Sequence, residues 1–138
     1  MELPLAHPWM AVPNVAIADL PEAVRAALTA ADDRKAFAIV AIDLRGLTNA
    51  TDYFVVASGT SDAHVRGIAK LVLERIQELG VSAHHVEGMT AGRWVLLDFV
   101  DFVVHLFHPE ARAFYKLERL WSDAPELMYQ PTPERKAG

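Results

Sequence analysis

The chain has 138 residues, a formal net charge of −5 and no cysteine. This length corresponds to one domain, with a folded surface of roughly 7,100 Å² against roughly 22,000 Å² unfolded, so a sizeable core forms without disulfides or metal. The composition, 52% hydrophobic and 22% charged, excludes a disordered or collagen-like chain. The lack of cysteine excludes disulfide scaffolds, zinc ribbons, thiol nucleophiles and iron–sulfur clusters.

The acidic balance argues against direct, sequence-specific binding of nucleic acid, because the adjacent basic pairs are limited to Arg34-Lys35 and Arg135-Lys136. The first residues, MELPLAHPWMAVPNV, have no basic segment and are broken by Pro4, Pro8 and Pro13, which makes a poor secretory signal. The longest apolar run, Ala36 to Ile42, falls far short of the roughly 18 residues of a membrane span. The expectation is a cytoplasmic protein that does not span a membrane.

Residues 1–18 read as a flexible N-terminal arm. Asp19-Leu20-Pro21-Glu22 predicts a helix start with Asp19 as N-cap, and Val24, Ala27, Leu28 and Ala31 share one face of a helix from Leu20 to Ala31. Phe37 to Leu44 is partly β-branched and predicts a strand buried on both faces. Tyr53 to Ala57 predicts a second buried strand, and Ser61 is placed to cap a long helix whose stripe is Val65, Ile68, Ala69, Val72, Ile76 and Leu79, ended by Gly80.

Val81 to Glu87 reads as a third strand, and Arg93–Asp98 with Asp101–Phe107 as an antiparallel hairpin. Pro109 opens a last helix that continues through Phe114, Leu117, Leu120 and Trp121 until Pro125. Residues 126–138 read as a polar C-terminal tail, leaving a domain over 19–125. The fold class is therefore α/β: a single compact domain with a mixed sheet of about five strands packed with helices.

A two-residue loop at Phe99-Val100 sets Asp98 opposite Asp101, Leu96 opposite Val103, and Trp94 opposite His105. One face of this hairpin is then wholly apolar (Val95, Leu97, Phe102, Val104, Leu106) and packs on helices. The other carries Trp94, Leu96, Asp98, Asp101, Val103 and His105. A tryptophan beside leucine and carboxylates is the composition of a protein-binding hot spot for a basic partner. Equally, the terminal helix covers Trp94 as core. Both readings stand at this level.

His84, His85, Glu87, His105 and His108 are metal-ligand types, but isolated polar residues at strand edges and an N-cap role for His108 explain them. Asp98 and Asp101 would serve a metal-dependent nucleotidyl or phosphoryl transferase, although they flank a turn and lack an obvious third carboxylate. Gly59-Thr60-Ser61 is placed to cradle an anion or simply to cap a helix. No G-x-S-x-G elbow or P-loop occurs. No catalytic residue, metal or cofactor is assigned.

An ordered set of segments resembles the ribosomal silencing factor (Iojap-like) family. They are Thr51-Asp52-Tyr53-Phe54, Gly59-Thr60-Ser61, His85-Val86-Glu87-Gly88, Trp94-Val95-Leu96-Leu97-Asp98-Phe99, Asp101, Val103-Val104-His105-Leu106-Phe107, and Phe114 through Trp121. The resemblance implies a nucleotidyltransferase-like topology without a recognised activity. It also implies a translational repressor that binds the large ribosomal subunit through ribosomal protein L-fourteen, blocks joining of the small subunit under nutrient limitation, and forms homodimers in isolation. The implied binding residues are Glu87, Trp94, Leu96, Asp98, Asp101 and His105. One position departs from the family pattern: Val100 stands where glycine is often found.

Overall fold

The computed structural model describes residues 18–115 and 126–129. Its elements run α1 (Glu22–Asp33), β1 (Phe37–Asp43), β2 (Tyr53–Ser58), α2 (Asp62–Glu78), β3 (His85–Glu87), β4 (Trp94–Asp98), β5 (Phe102–Phe107), α3 (Pro109–Tyr115) and β6 (Glu126–Met128). The sheet is mixed and has six strands in the order β3-β4-β5-β2-β1-β6, one more than predicted. β2 and β5 pair in parallel at its centre, and every other neighbouring pair is antiparallel.

Helices α1 and α2 cover one face. The predicted stripe of α1 is buried in full and joins one core with Val55, Val95, Leu97, Val104 and Leu106, α1 packing on β1, β2 and α2 while α2 packs on β4 and β5. Its start differs from expectation. Pro21 takes the N-cap position with extended backbone (ψ 149°), and its carbonyl accepts from the Arg25 N–H at 3.0 Å, so Asp19 lies too early to cap. α2 begins as expected, the Ser61 hydroxyl accepting from the His64 N–H at 3.0 Å. Gly80 (φ +85°) ends it: its N–H reaches the Gln77 carbonyl and that of Val81 the Ile76 carbonyl, the paired bonds of a Schellman cap. Leu79, placed on the stripe from spacing, is the C-cap and is exposed.

The opposite face has a smaller core of Val40, Ile42, Leu44, Val56, Phe107 and Ala111. Ala111 comes from α3, which begins at Pro109 as predicted, with the His108 ring accepting from the Glu110 N–H. Its expected continuation through Leu117, Leu120 and Trp121 lies outside the described residues, as does the arm up to residue 17. β1 is buried on both faces only from Ile39; a bulge after Phe37, with Ala38 at φ +51°, leaves Phe37 exposed.

Two further readings are corrected. The third strand is three residues rather than seven and wholly exposed, because only His85–Glu87 finds a partner in β4. Glu126–Met128 is not free tail but pairs antiparallel with β1, and Tyr129 packs on the core and bonds the Ile39 carbonyl.

The hairpin register also shifts, by two residues. Trp94 opposes Phe107, Leu96 opposes His105, and Asp98 opposes Val103. An even shift keeps the side chains of Trp94–Asp98 and Phe102–Phe107 on their predicted faces, which is why the apolar face is right although the pairs are not. The loop is Val100-Asp101, closed by Phe99 N–H to the Phe102 carbonyl at 2.9 Å. Inside it the Asp101 N–H bonds the Phe99 carbonyl across Val100 at φ +76°, a γ-turn on a β-branched residue. Three bonds hold this strained tip: Val100 N–H to Asp98 Oδ1 (2.8 Å), Thr51 Oγ1–H to the Val100 carbonyl (3.1 Å), and Asp52 N–H to the Asp101 carbonyl (2.9 Å).

Glycine at position 100 removes the strain at the cost of a more flexible unfolded chain. Val100→Gly should therefore raise the unfolding free energy by about 0.5–1 kcal/mol in denaturant titration. A loss of stability would show that the Val100 side chain contributes packing that outweighs its backbone.

Candidate functional site

Strand pairing brings four strands' side chains onto the face opposite α1 and α2. Trp94, Leu96 and Asp98 of β4 lie beside Val103, His105 and Phe107 of β5. β3 adds His85 and Glu87 on one side, and β2 adds Phe54 and Val56 on the other.

Trp94 is half-buried. Its indole stacks on Phe107 (5.1 Å between centroids, 29° between planes), and its Nε1–H donates to His105 Nδ1 at 3.0 Å. The imidazole beneath is 4% exposed, and burial pushes its pKa down to about 4. Because Nδ1 accepts the indole proton, neutral His105 carries its own proton on Nε2. Gly88 fits this geometry: at φ +86° it backs onto β4 so closely that a Cβ would collide with the Trp94 carbonyl oxygen.

The six residues singled out in the sequence divide into three groups. Trp94, Leu96 and Asp98 share the face and are partly accessible. Glu87 is exposed on the neighbouring strand, bonded to His85 Nε2 at 2.6 Å. Asp101 leaves the face, since it belongs to the turn and not to β5, and His105 is buried below Trp94 rather than presented to solvent. Asp98 and Asp101 therefore do not oppose one another, and the carboxylate pair drawn for a transferase is not formed. No three His, Asp or Glu side chains among the described residues converge to hold a metal ion.

The Gly59-Thr60-Ser61 junction is occupied by the protein itself. The Gly59 N–H bonds the Phe107 carbonyl (3.0 Å), the Thr60 N–H bonds His64 Nδ1 (2.8 Å), and His64 Nε2 reaches the Arg34 carbonyl (2.6 Å). This junction locks α2 to the sheet and to the end of α1, so its place in the sequence pattern has a structural cause.

Sequence reasoning missed a cavity of about 290 Å³ between the hairpin and the loop before β2, walled by Leu44, Phe54, Leu96, Val103 and His105, with Asp98, Thr48 and Thr51 also lining it. Alternation within Tyr53-Phe54-Val55 already puts Phe54 on the face away from the helices; the missing signal was that β2 lies next to β5.

The fold defines a small α/β protein with two helices on one side of its sheet and, on the other, a partly accessible face of aromatic, aliphatic and carboxylate groups. Residues 17–138 match the family model described as ribosomal silencing factor during starvation. The chain is 41% identical over 102 residues to the ribosomal silencing factor of Bacillus subtilis, covering 74% of this chain and 86% of that one. Among solved structures it is similar to a Chromobacterium violaceum protein (TM-score 0.72, 33% identity, 80% of this chain and 88% of that one). A Bacillus halodurans protein is also similar (TM-score 0.69, 38% identity, 78% and 98%). A more distant relative, 37% identical over 75 residues covering 52% of this chain and 33% of that one, is the mouse mitochondrial assembly of ribosomal large subunit protein 1. The chain belongs to the ribosomal silencing factor family, whose names are those of regulators of ribosomes rather than of enzymes.

The His105 environment has a pH signature. Folded His105 stays neutral until about pH 4, whereas its ordinary value is 6.5, so between these limits the unfolded chain binds more protons. The contribution is fully present above pH 6.5 and is lost as pH falls toward 4, with a slope of at most about 1.4 kcal/mol per pH unit. Denaturant titrations from pH 7 to 4 should show His105→Phe losing less stability than wild type; parallel curves would contradict a buried neutral imidazole.

Proposed function

We propose that the protein represses translation by occupying the large ribosomal subunit through ribosomal protein L-fourteen, so that the small subunit cannot join, chiefly when nutrients are scarce. Family membership supports the ribosomal target, and the name of the mouse relative points to the large subunit. The observation that carries the reading is the β4–β5 face. Trp94 is fixed there in a half-accessible position beside Leu96 and Asp98, on the residues that match the family's motif.

Such a face works by occupancy. Trp94 supplies a large rigid area that desolvates on contact, and Leu96 extends it. Glu87 and Asp98 give the face a negative potential suited to a basic protein surface, with Asp101 at the adjoining turn, within a chain whose overall charge is already negative. An acidic protein reaches a ribosome through one of its basic proteins more readily than through RNA, because phosphates repel it.

Co-sedimentation with separated ribosomal subunits tests this. The wild type should pellet with the large subunit and not the small one. Trp94→Ala, checked for fold by circular dichroism, should bind at least about 30-fold more weakly, corresponding to a hot spot of about 2 kcal/mol or more. Wild-type protein that pellets with neither subunit, or a folded Trp94→Ala that binds unchanged, would overturn the reading.

A further inference from the structure

We infer that the cavity between the hairpin and the loop before β2 is a subsite for an alkylammonium group, filled in the complex by a lysine side chain of the protein partner; this rests on the reading that the partner docks on the β4–β5 face. Strand register lays out the lining. Val103 of β5 pairs with Asp98 of β4 on one side and with Phe54 of β2 on the other, so the three form one row across adjacent strands on the open face. Leu96 follows Asp98 along β4, and the loop closes the far side with Leu44, Thr48 and Thr51. A guest can reach this lining. Phe54, Leu96, Asp98 and Val103 are each partly accessible.

Two properties select the guest. The walls of Leu44, Phe54, Leu96 and Val103 suit a methylene chain. The charge in the lining is that of Asp98, and no lysine or arginine among the described residues lines the cavity to neutralise it. Asp52 and Asp101, exposed and linked through their backbones at 2.9 Å, add negative potential at the same end of the sheet. His105 adds a neutral ring, 4% exposed and with its Nε2 covered, so it offers a guest no donor.

The hydrogen bonds already made sharpen this choice. Asp98 Oδ1 accepts from the Val100 N–H at 2.8 Å, and Oδ2 makes no hydrogen bond among the described residues. Thr51 donates its hydroxyl proton to the Val100 carbonyl at 3.1 Å, so its oxygen is left as an acceptor. A carboxylate beside apolar walls repels an anion and gains nothing from an aliphatic guest, whereas a cation on a methylene stem satisfies both parts. Lysine suits the site better than arginine. With Oδ1 engaged, the remaining oxygen serves a compact ammonium, while a guanidinium owes its advantage to two parallel bonds.

The test uses the full chain, isotope-labelled, and four small probes: butylammonium, propylguanidinium, 1-butanol and butyrate. Butylammonium should produce saturable NMR shifts at the amides of Phe54, Leu96, Asp98 and Val103 and bind about fivefold more tightly than 1-butanol, the scale of a partly exposed ion pair, with butyrate producing none. Asp98→Asn keeps an oxygen for the Val100 N–H and should erase the preference for the ammonium. Should that variant fail to fold, Val103→Phe fills the cavity from the middle of the row and should abolish binding. In the complex with large subunits, carbodiimide coupling, which joins a carboxylate to an amine in contact with it, should link Asp98 to a lysine of the partner protein. Absence of saturable shifts, equal affinity for 1-butanol, or propylguanidinium binding as tightly as butylammonium overturns the subsite, and a coupled complex with no link at Asp98 overturns its occupation by lysine. The probes involve no ribosome, so the two readings fail separately. Protein that pellets with large subunits yet ignores butylammonium refutes the subsite alone. Protein that takes butylammonium but pellets with no subunit supports the subsite and refutes the ribosomal target.

Discussion

The hydrogen bond from the Trp94 indole to the buried His105 ring is the interaction on which the geometry of the β4–β5 face depends. A tryptophan free on a sheet would sample several rotamers and lose that freedom on docking, a cost charged against affinity. Here stacking on Phe107 and the bond to His105 fix it beforehand. The imidazole can accept because it is neutral, and it is neutral because the sheet buries it between β4 and β2. Packing in the centre of the sheet therefore sets the protonation state of one ring, and that ring sets the posture of another.

The rest of the molecule serves to hold those strands. α2 buries the apolar side of β4 and β5, and α1 that of β1 and β2, so the second side of the hairpin is left open without loss of the core. The parallel pairing of β2 with β5 brings Phe54 alongside His105, and the bonds from Thr51 and Asp52 tie the hairpin tip to the loop before β2. Such a face is preorganised rather than adaptive. That suits the occupancy mechanism proposed above, for which rigidity counts for more than reactive groups.

Much of this was legible in the sequence where local periodicity governs. The stripes of α1 and α2, the Ser61 and Gly80 caps, and the two faces of the hairpin follow from spacing. The misplaced features depend on neighbours that periodicity does not specify. The hairpin register turned on Val100 adopting φ +76°, which a β-branched residue rarely does. β6 was invisible because three residues of Glu-Leu-Met become a strand only by meeting β1. His105 alternates with Val104 as an exposed residue would, and its burial comes from β2 and Trp94, not from its own strand. The cavity required strand order, which no segment carries alone.

The most direct test of the central claim is hydrogen–deuterium exchange of the protein with and without purified large ribosomal subunits. Protection centred on β4 and β5, strongest at Trp94 through Asp98, with α2 unchanged, is the predicted result. Protection confined to the exposed side of α2, around Glu74 and Gln77, would place the ribosome on the opposite side of the molecule and contradict the account.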